Sequence, residues 1–233
     1  MGGDDFTFKQ FVVRQDRCAM KVGTDGVLLG AWAVGGRRIL DVGTGTGLIA
    51  MMMAQRCPDA DIVAVDIDED ACRQAEDNVS EGGFGDRIQV RHCRLQDYAP
   101  QCVFDSIVSN PPYFVDSLPC PDDRRTMARH AAGLTFAELF RGVNRLLSTD
   151  GTFSAIVPAE SAGRFIAEGC LSGLFLVRRC DVRTVARKHP RRVLLSFSRM
   201  TSTREPFTEE VLQETDGRRS VWYRSLTDAF YIK

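Results

Sequence analysis

Arg38-Ile-Leu-Asp-Val42 runs directly into Gly43-Thr-Gly-Thr-Gly47 and then into residues 48–55, LIAMMMAQ. The first five residues form a short apolar run of the kind a buried strand requires, and the last eight are good helix formers. Between them, glycines at alternate positions permit a tight turn and let a ligand approach the main chain closely. The segment therefore reads as strand, glycine loop, helix. Working outward, residues 62–65 read as a second strand and 68–79 as a helix with acids in its first turn; Ile88–His92 and Phe104–Ser109 continue the series as strands. Residues 136–147 have helical apolar spacing, and 151–157 form a fifth strand pattern. Strands alternating with helices imply a doubly wound parallel sheet. After a helix at 161–170, the β-rich stretches 174–182 and 193–200 follow with no helix between them, which suggests an antiparallel pair at the sheet's edge. Residues 201–233 read as a polar, docked tail ending in Tyr223, Phe230 and Tyr231.

The 233 residues suffice for one domain with a full core, needing neither a metal nor a disulfide staple. We expect a single domain over 1–233, with an N-terminal segment at 1–35, a core at 36–200 and the tail at 201–233. Lys+Arg 30 against Asp+Glu 31 leaves a net charge of -1, which excludes a uniformly basic nucleic-acid binder. Eight cysteines are never closer than nine residues, so CxxC spacing is absent and no metal site is expected. With no signal-peptide pattern in the first ten residues, these are read as reduced thiols of a soluble cytoplasmic protein, and no apolar stretch is long enough to span a membrane. The three histidines, at 92, 130 and 189, have no triad or metal spacing.

Alone, the glycine loop fits a ligand-free connection or a dinucleotide site as well as any other role. Three acids narrow it. Asp41 precedes the loop, Asp66 ends the second strand where a carboxylate can accept two ribose hydroxyls, and Asp97 follows the third strand where it could accept from an adenine amine. A helix cap or turn former is the plainer account of Asp66 or Asp97 taken singly. Their combined register resembles the S-adenosylmethionine methyltransferase pattern more than a dehydrogenase, because that cofactor has no pyrophosphate and its sulfonium and ammonium charges suit acids.

Asn110-Pro-Pro-Tyr113 follows the fourth strand. Its prolines fix φ and supply carbonyls without competing N–H groups, so the Asn110 side chain and the Pro111 carbonyl can hold both hydrogens of a planar exocyclic amine. Pro112 completes the rigid turn, and Tyr113 can stack on an extruded base. The glycine loop followed by NPPY resembles amino-group methyltransferases: adenine-N6 enzymes, guanine-N2 ribosomal RNA enzymes and glutamine-N5 enzymes acting on release factors. Phe8-Lys-Gln-Phe11 through Lys21-Val-Gly-Thr-Asp-Gly-Val-Leu-Leu-Gly-Ala-Trp32, Ala128-Arg-His130, Arg192-Val-Leu-Leu195 and Tyr223-Arg-Ser-Leu-Thr-Asp-Ala-Phe-Tyr-Ile-Lys233 look like one branch, the bacterial valine-tRNA adenine-N6 methyltransferases.

That resemblance implies a Rossmann-like class I fold with a seven-stranded, mostly parallel sheet and an antiparallel edge hairpin. It implies that Asp41, Gly43, Thr44, Gly45 and Gly47 bind the cofactor, the glycines lining its methionine. Asp66 with Ile67 would meet its ribose and Asp97 its adenine, while Thr24 and Asp25 would cover the pocket. Asn110, Pro111, Pro112 and Tyr113 would hold the target adenine for in-line transfer, Asn110 acting through geometry and no strong base being needed. The implied partner is tRNA and the expected state a monomer.

Charge is segregated behind the neutral total. Nine acids face one base, Arg73, between residues 59 and 81; seven Lys/Arg face one acid, Asp181, between 178 and 192. We expect Arg183, Arg187, Lys188, Arg191 and Arg192 to meet RNA phosphates together with Arg124, Arg125 and Arg129, and the acidic helix to face away. Three other readings remain at this point: a guanine-N2 RNA enzyme, a glutamine-N5 protein enzyme, for which the roughly 35 residues before the core are short, and a non-catalytic RNA-binding scaffold.

Overall fold

The computed structural model describes residues 5–18, 21–112, 134–201 and 205–232. A two-stranded antiparallel ribbon, β1 (Phe6–Thr7) and β2 (Val12–Val13), precedes helix α1 (Thr24–Trp32). The core then alternates β3 (Arg38–Val42), α2 (Leu48–Arg56), β4 (Asp61–Asp66), α3 (Glu69–Glu81), β5 (Ile88–His92) and β6 (Phe104–Ser109). It continues through α4 (Phe136–Leu146), β7 (Leu147–Pro158), α5 (Ala159–Leu171), β8 (Phe175–Val185) and β9 (Arg192–Ser198), and closes with β10 (Thr208–Gln213) and α6 (Val221–Thr227).

The sheet order is β10-β8-β9-β7-β6-β3-β4-β5. β3, β4, β5, β6 and β7 are mutually parallel, and β9 runs antiparallel to both β7 and β8. These seven strands form the mostly parallel Rossmann-like sheet with its antiparallel hairpin. An eighth strand joins from the polar extension, where β10 pairs parallel to β8 in the register Glu209↔Asp181 and Val211↔Arg183. Its two glutamates hid it from hydropathy, but such charges are what an exposed edge strand carries.

Alternation along the strands splits the core in two. Ile39, Ile62, Val108 and Leu194 face one layer with α1, α2 and α3, whereas Leu40, Val65, Ile107 and Val193 face the layer of α4 and α5. Helix α2 is buried over Leu48–Ala54 and lies hard against α1: a Cβ on Gly30 would meet the Met52 sulfur at 2.7 Å. That contact fixes α1 against α2, and α1 also meets β7 and β9. The tail closes the first layer, with Tyr223 and Phe230 buried and Arg219 stacked 4.2 Å above the Tyr231 ring. Among the described residues no helix is long and apolar enough to cross a membrane, and no three metal-capable side chains cluster.

Candidate active site

The chain leaves β3 toward β4 on one side and reaches β6 on the other, so strand order reverses between β3 and β6. In an open α/β sheet the crevice at such a reversal, outside the carboxyl ends of the strands, is where ligands bind. A cavity of about 590 Å3 lies there. Its floor is the glycine loop and the end of β6, with Gly43, Thr44, Gly45, Asn110 and Pro112 among its lining residues.

Backbone geometry explains the loop. Gly43, Gly45 and Gly47 have φ of 73°, 54° and 81°, left-handed values that favour glycine. Gly43 and Thr44 both donate to the Val65 carbonyl, at 2.9 and 3.1 Å, which pins the loop to the neighbouring strand. A Cβ on Gly43 or Gly45 would have no atom within 4 Å, so the main chain there borders open space. Beneath it, Asp41 is fully buried and accepts from the Thr44 hydroxyl at 2.7 Å. Burial pushes its carboxyl up to about 7, against opposing hydrogen bonds from Thr44 and the Ala50 backbone. Asp41 therefore supports the loop from below and is not part of the cavity wall.

Asp66 lines the cavity and is not the cap of α3; Asp68 is, accepting from the Asp70 and Ala71 amides. One Asp66 oxygen accepts from the Gly45 amide at 2.8 Å and the other from the Asp68 amide at 3.0 Å. Each oxygen retains acceptor capacity toward the cavity. Ile67, half exposed, lies beside it in the lining. The chain turns over residues 94–97, with the Asp97 and Tyr98 amides both donating to the Arg94 carbonyl, so Cys93, Arg94, Leu95 and Gln96 line the cavity while Asp97 is exposed outside it. Burial, with Asp97 nearby, raises the Cys93 thiol, and burial raises Cys72 to about 12. Neither offers a thiolate at neutral pH.

On the far wall, Thr24 and Asp25 of α1 join the lining, as does Arg192 at the start of β9. Arg192 Nε donates to Asp25 Oδ2 at 2.6 Å. Arg183 is likewise committed, its guanidinium 2.6 Å from Glu209 of β10. Each of these two expected phosphate contacts is thus paired with an acid that lies far away in the chain. Arg178 and Arg179 are also paired, with Glu205 and Asp181. Arg187, Lys188 and Arg191 remain exposed on the turn that runs into Arg192. Tyr113, Arg124, Arg125 and Arg129 lie outside the described residues, and Pro111 is buried.

Sequence reasoning missed two groups. Ser109 donates to the Val42 carbonyl at 2.8 Å, joining the ends of β6 and β3. Buried Asn78 of α3 donates to the Thr46 and Arg14 carbonyls, at 2.9 and 2.8 Å, while Gln74 accepts from the Arg17 amide at 3.0 Å. With the ion pairs Arg14–Glu81 and Arg17–Asp77, these bonds strap the N-terminal segment onto the acidic helix, which is thus an attachment surface as well as a charged face. The available signal was two amides on the helix's otherwise apolar stripe of Ala71, Cys72, Ala75 and Val79.

A sheet reversed beside a glycine loop, with an acid on the next strand and Asn-Pro-Pro on the facing one, defines a class, and residues 23–159 match the family model described as methyltransferase small domain. At full length the chain is 47% identical over 236 residues to the tRNA1(Val) (adenine(37)-N6)-methyltransferase of Bacteroides thetaiotaomicron, covering 100% of this chain and 99% of that one. It is 44% identical to the protein of the same name from Tolumonas auensis, covering 100% and 99%. The chain belongs to the family these relatives represent. Solved structures agree in fold: a protein described as a predicted O-methyltransferase from Agrobacterium tumefaciens superposes with a TM-score of 0.70 at 19% identity, covering 88% of this chain and 96% of that one. The ribosomal protein L11 methylase of Lactobacillus delbrueckii superposes at 0.54 and 18% identity, covering 75% and 76%.

Proposed function

We propose that the protein transfers a methyl group from S-adenosylmethionine to the N6 amine of the adenine at position 37 of valine tRNA. The observation that carries this reading is the juxtaposition of Asn110 with the glycine loop in one cavity at the sheet's reversal. The residues suit the cofactor: the main chain at Gly43 and Gly45 borders open space, and Asp66 and Asp25 offer carboxylates to a ligand whose net charge is positive. When bound, it supplies an electrophilic methyl group.

Each residue then has a defined task. Asp66 accepts from the ribose hydroxyls while holding Gly45 in place. Ile67, Leu95 and Gln96 flank the adenine end. The Asn110 side-chain oxygen and the Pro111 carbonyl accept the two hydrogens of the target amine, so its lone pair faces the glycine loop, and Tyr113 offers a stacking surface for the ring. No strong base is needed, because the methylated amine is acidic enough to release its proton to those acceptors or to water. Most of the rate enhancement then comes from orientation. Arg187, Lys188 and Arg191, exposed on the turn that runs into Arg192, supply phosphate contacts, and the same role is assigned to Arg124, Arg125 and Arg129. The same reading takes residues 1–233 as one domain acting as a cytoplasmic monomer.

Incubation with methyl-labelled S-adenosylmethionine and unmodified total tRNA tests this reading. Label is expected in N6-methyladenosine. Label in N2-methylguanosine, or only in added protein, would contradict it.

A further inference from the structure

β10 runs parallel to β8 as far as the pair Gln213↔Val185, and the chain then doubles back so that Arg219 bridges Gln213 antiparallel. Val185 is also where the turn carrying Arg187, Lys188 and Arg191 leaves β8, with the Lys188 amide donating to its carbonyl at 3.0 Å. Neighbouring strands lie about 4.8 Å apart, so the Arg219 main chain stands roughly 10 Å from the start of that turn. A second, more open concavity of about 530 Å3 forms in the tail, with Arg219, Arg224, Ser225, Asp228 and Tyr231 in its lining. Its charge is one-sided. Arg219 lies 4.2 Å from the centre of the Tyr231 ring, whose hydroxyl is hydrogen-bonded to that of Tyr223 at 3.0 Å, so the support under the guanidinium is itself fixed. Arg219 and Arg224 are both exposed, and among the described residues neither is paired with an acid. The neighbouring charges are spoken for: Arg218 is 2.6 Å from Asp216, and Asp228 is 3.7 Å from Lys9.

We propose that Arg219, Arg224 and Tyr231 form a second RNA-binding site, which takes the phosphodiester backbone of the tRNA beyond the segment held at the catalytic cavity. It rests on the reading of tRNA as the substrate, and it carries the basic turn's surface along the β8–β10 edge into the tail. A guanidinium resting on a ring keeps its in-plane N–H donors for a bidentate phosphate contact and loses little side-chain freedom in making one. Arg224 of α6 brings a second cation to the same lining, and Ser225 a hydroxyl donor. Two unpaired cations here and three on the neighbouring turn repel one another across the edge. An extended polyanion meets both groups at once, whereas an isolated phosphate meets only one. With a net charge of -1 for the whole chain, this local excess orients one ligand and does not attract nucleic acid indiscriminately.

Fluorescence-anisotropy titration of valine tRNA over a series of salt concentrations, beside calorimetry with S-adenosylhomocysteine, tests the site. Arg219→Ala combined with Arg224→Ala is expected to weaken tRNA binding at least about fivefold and to lower the steepness of its salt dependence by about one to two, with S-adenosylhomocysteine affinity within about twofold of wild type. Arg224→Glu, at an exposed helical position where no ion pair is lost, should weaken tRNA binding likewise and carries the comparison if the double variant does not fold. Unchanged tRNA affinity and salt dependence would overturn the proposal. Weakened binding with unchanged steepness and a lowered melting midpoint would overturn it in favour of a tail that is only structural. Binding of wild-type protein, but not of the variants, to vesicles of phosphatidylglycerol and phosphatidylcholine, with tRNA affinity unaltered, would overturn it in favour of a membrane surface. Wild-type protein that binds tRNA with the expected sensitivity yet transfers no methyl group would uphold the site and remove the adenine-methylation reading instead.

Discussion

The Ser109 hydroxyl donates to the Val42 carbonyl at 2.8 Å, and the two residues are direct partners in the β3–β6 register. One hydrogen bond therefore sets the spacing between the residue before Gly43 and the residue before Asn110. Ser109→Ala removes the donor in a buried site, a loss of about 1 kcal/mol. For a chain of this size that lowers the melting midpoint by roughly 2–4 °C. The transfer rate should fall further than the stability change explains, since the two halves of the site lose their fixed separation.

Asp66 has two duties, toward the ligand and toward the Gly45 amide. Asp66→Ala should weaken S-adenosylhomocysteine by at least about tenfold, or ~1.4 kcal/mol. Asp97→Ala, outside the cavity, should leave that affinity within twofold. Calorimetry on the pair of variants distinguishes them, and a larger loss at Asp97 would restore it to the cofactor site.

Asn110→Ala should reduce transfer by about 100-fold or more while cofactor affinity stays near wild type, because the side chain orients the amine and does not touch the nucleoside of the donor. Single-turnover rates with tRNA, set beside calorimetric affinities, check the split. Equal losses in both would remove the positioning role.

Asp41 gives the fold a pH dependence with a definite sign. Its native carboxyl is raised to about 7 from the ordinary 3.8, so between those values the folded state holds a proton that the unfolded chain has lost. Stability from this group is therefore greatest at low pH, declines as pH rises through that window and is flat above it. Asp41→Asn keeps an acceptor for Thr44 and removes the titration. Relative to wild type it should gain about 1–3 kcal/mol on moving from pH 5 to pH 8, as read from denaturant midpoints. An unchanged difference across that range would rule out the raised carboxyl.

Arg187, Lys188 and Arg191 should behave unlike the paired arginines around them. Replacing all three with alanine is expected to weaken tRNA binding and to reduce the steepness of its salt dependence by about two. Arg183→Ala, which breaks an ion pair with Glu209 at the sheet's edge and an exposed hydrogen bond to the Ala186 carbonyl, should leave that steepness unchanged and cost at most about 1 kcal/mol of stability.

Local signals made the central fold readable. The glycine loop, the acid on β4 and the Asn-Pro-Pro turn each depend on a few adjacent residues, and their strands alternate with helices at short spacing. What escaped was long-range. β10 is half exposed and carries Glu209 and Glu210, so hydropathy could not find it; it forms because β8 leaves an edge to be paired. The run of seven cations looked like one basic surface, yet four of them are neutralised by Glu205, Asp181, Glu209 and Asp25, three of these partners lying well away in the chain. The placing of Asp97 is local in origin: a turn that begins at Arg94 sets residues 93–96 along the cavity and leaves Asp97 exposed beside them.

The central claim is that this cavity presents one adenine amine to the methyl donor. Methyl incorporation into two transcripts of valine tRNA, one unaltered and one with adenine 37 replaced by guanine, tests it most directly. Label is predicted in the first and absent from the second. Equal incorporation into both transcripts, or none into either under conditions where the protein binds S-adenosylhomocysteine, would contradict the claim.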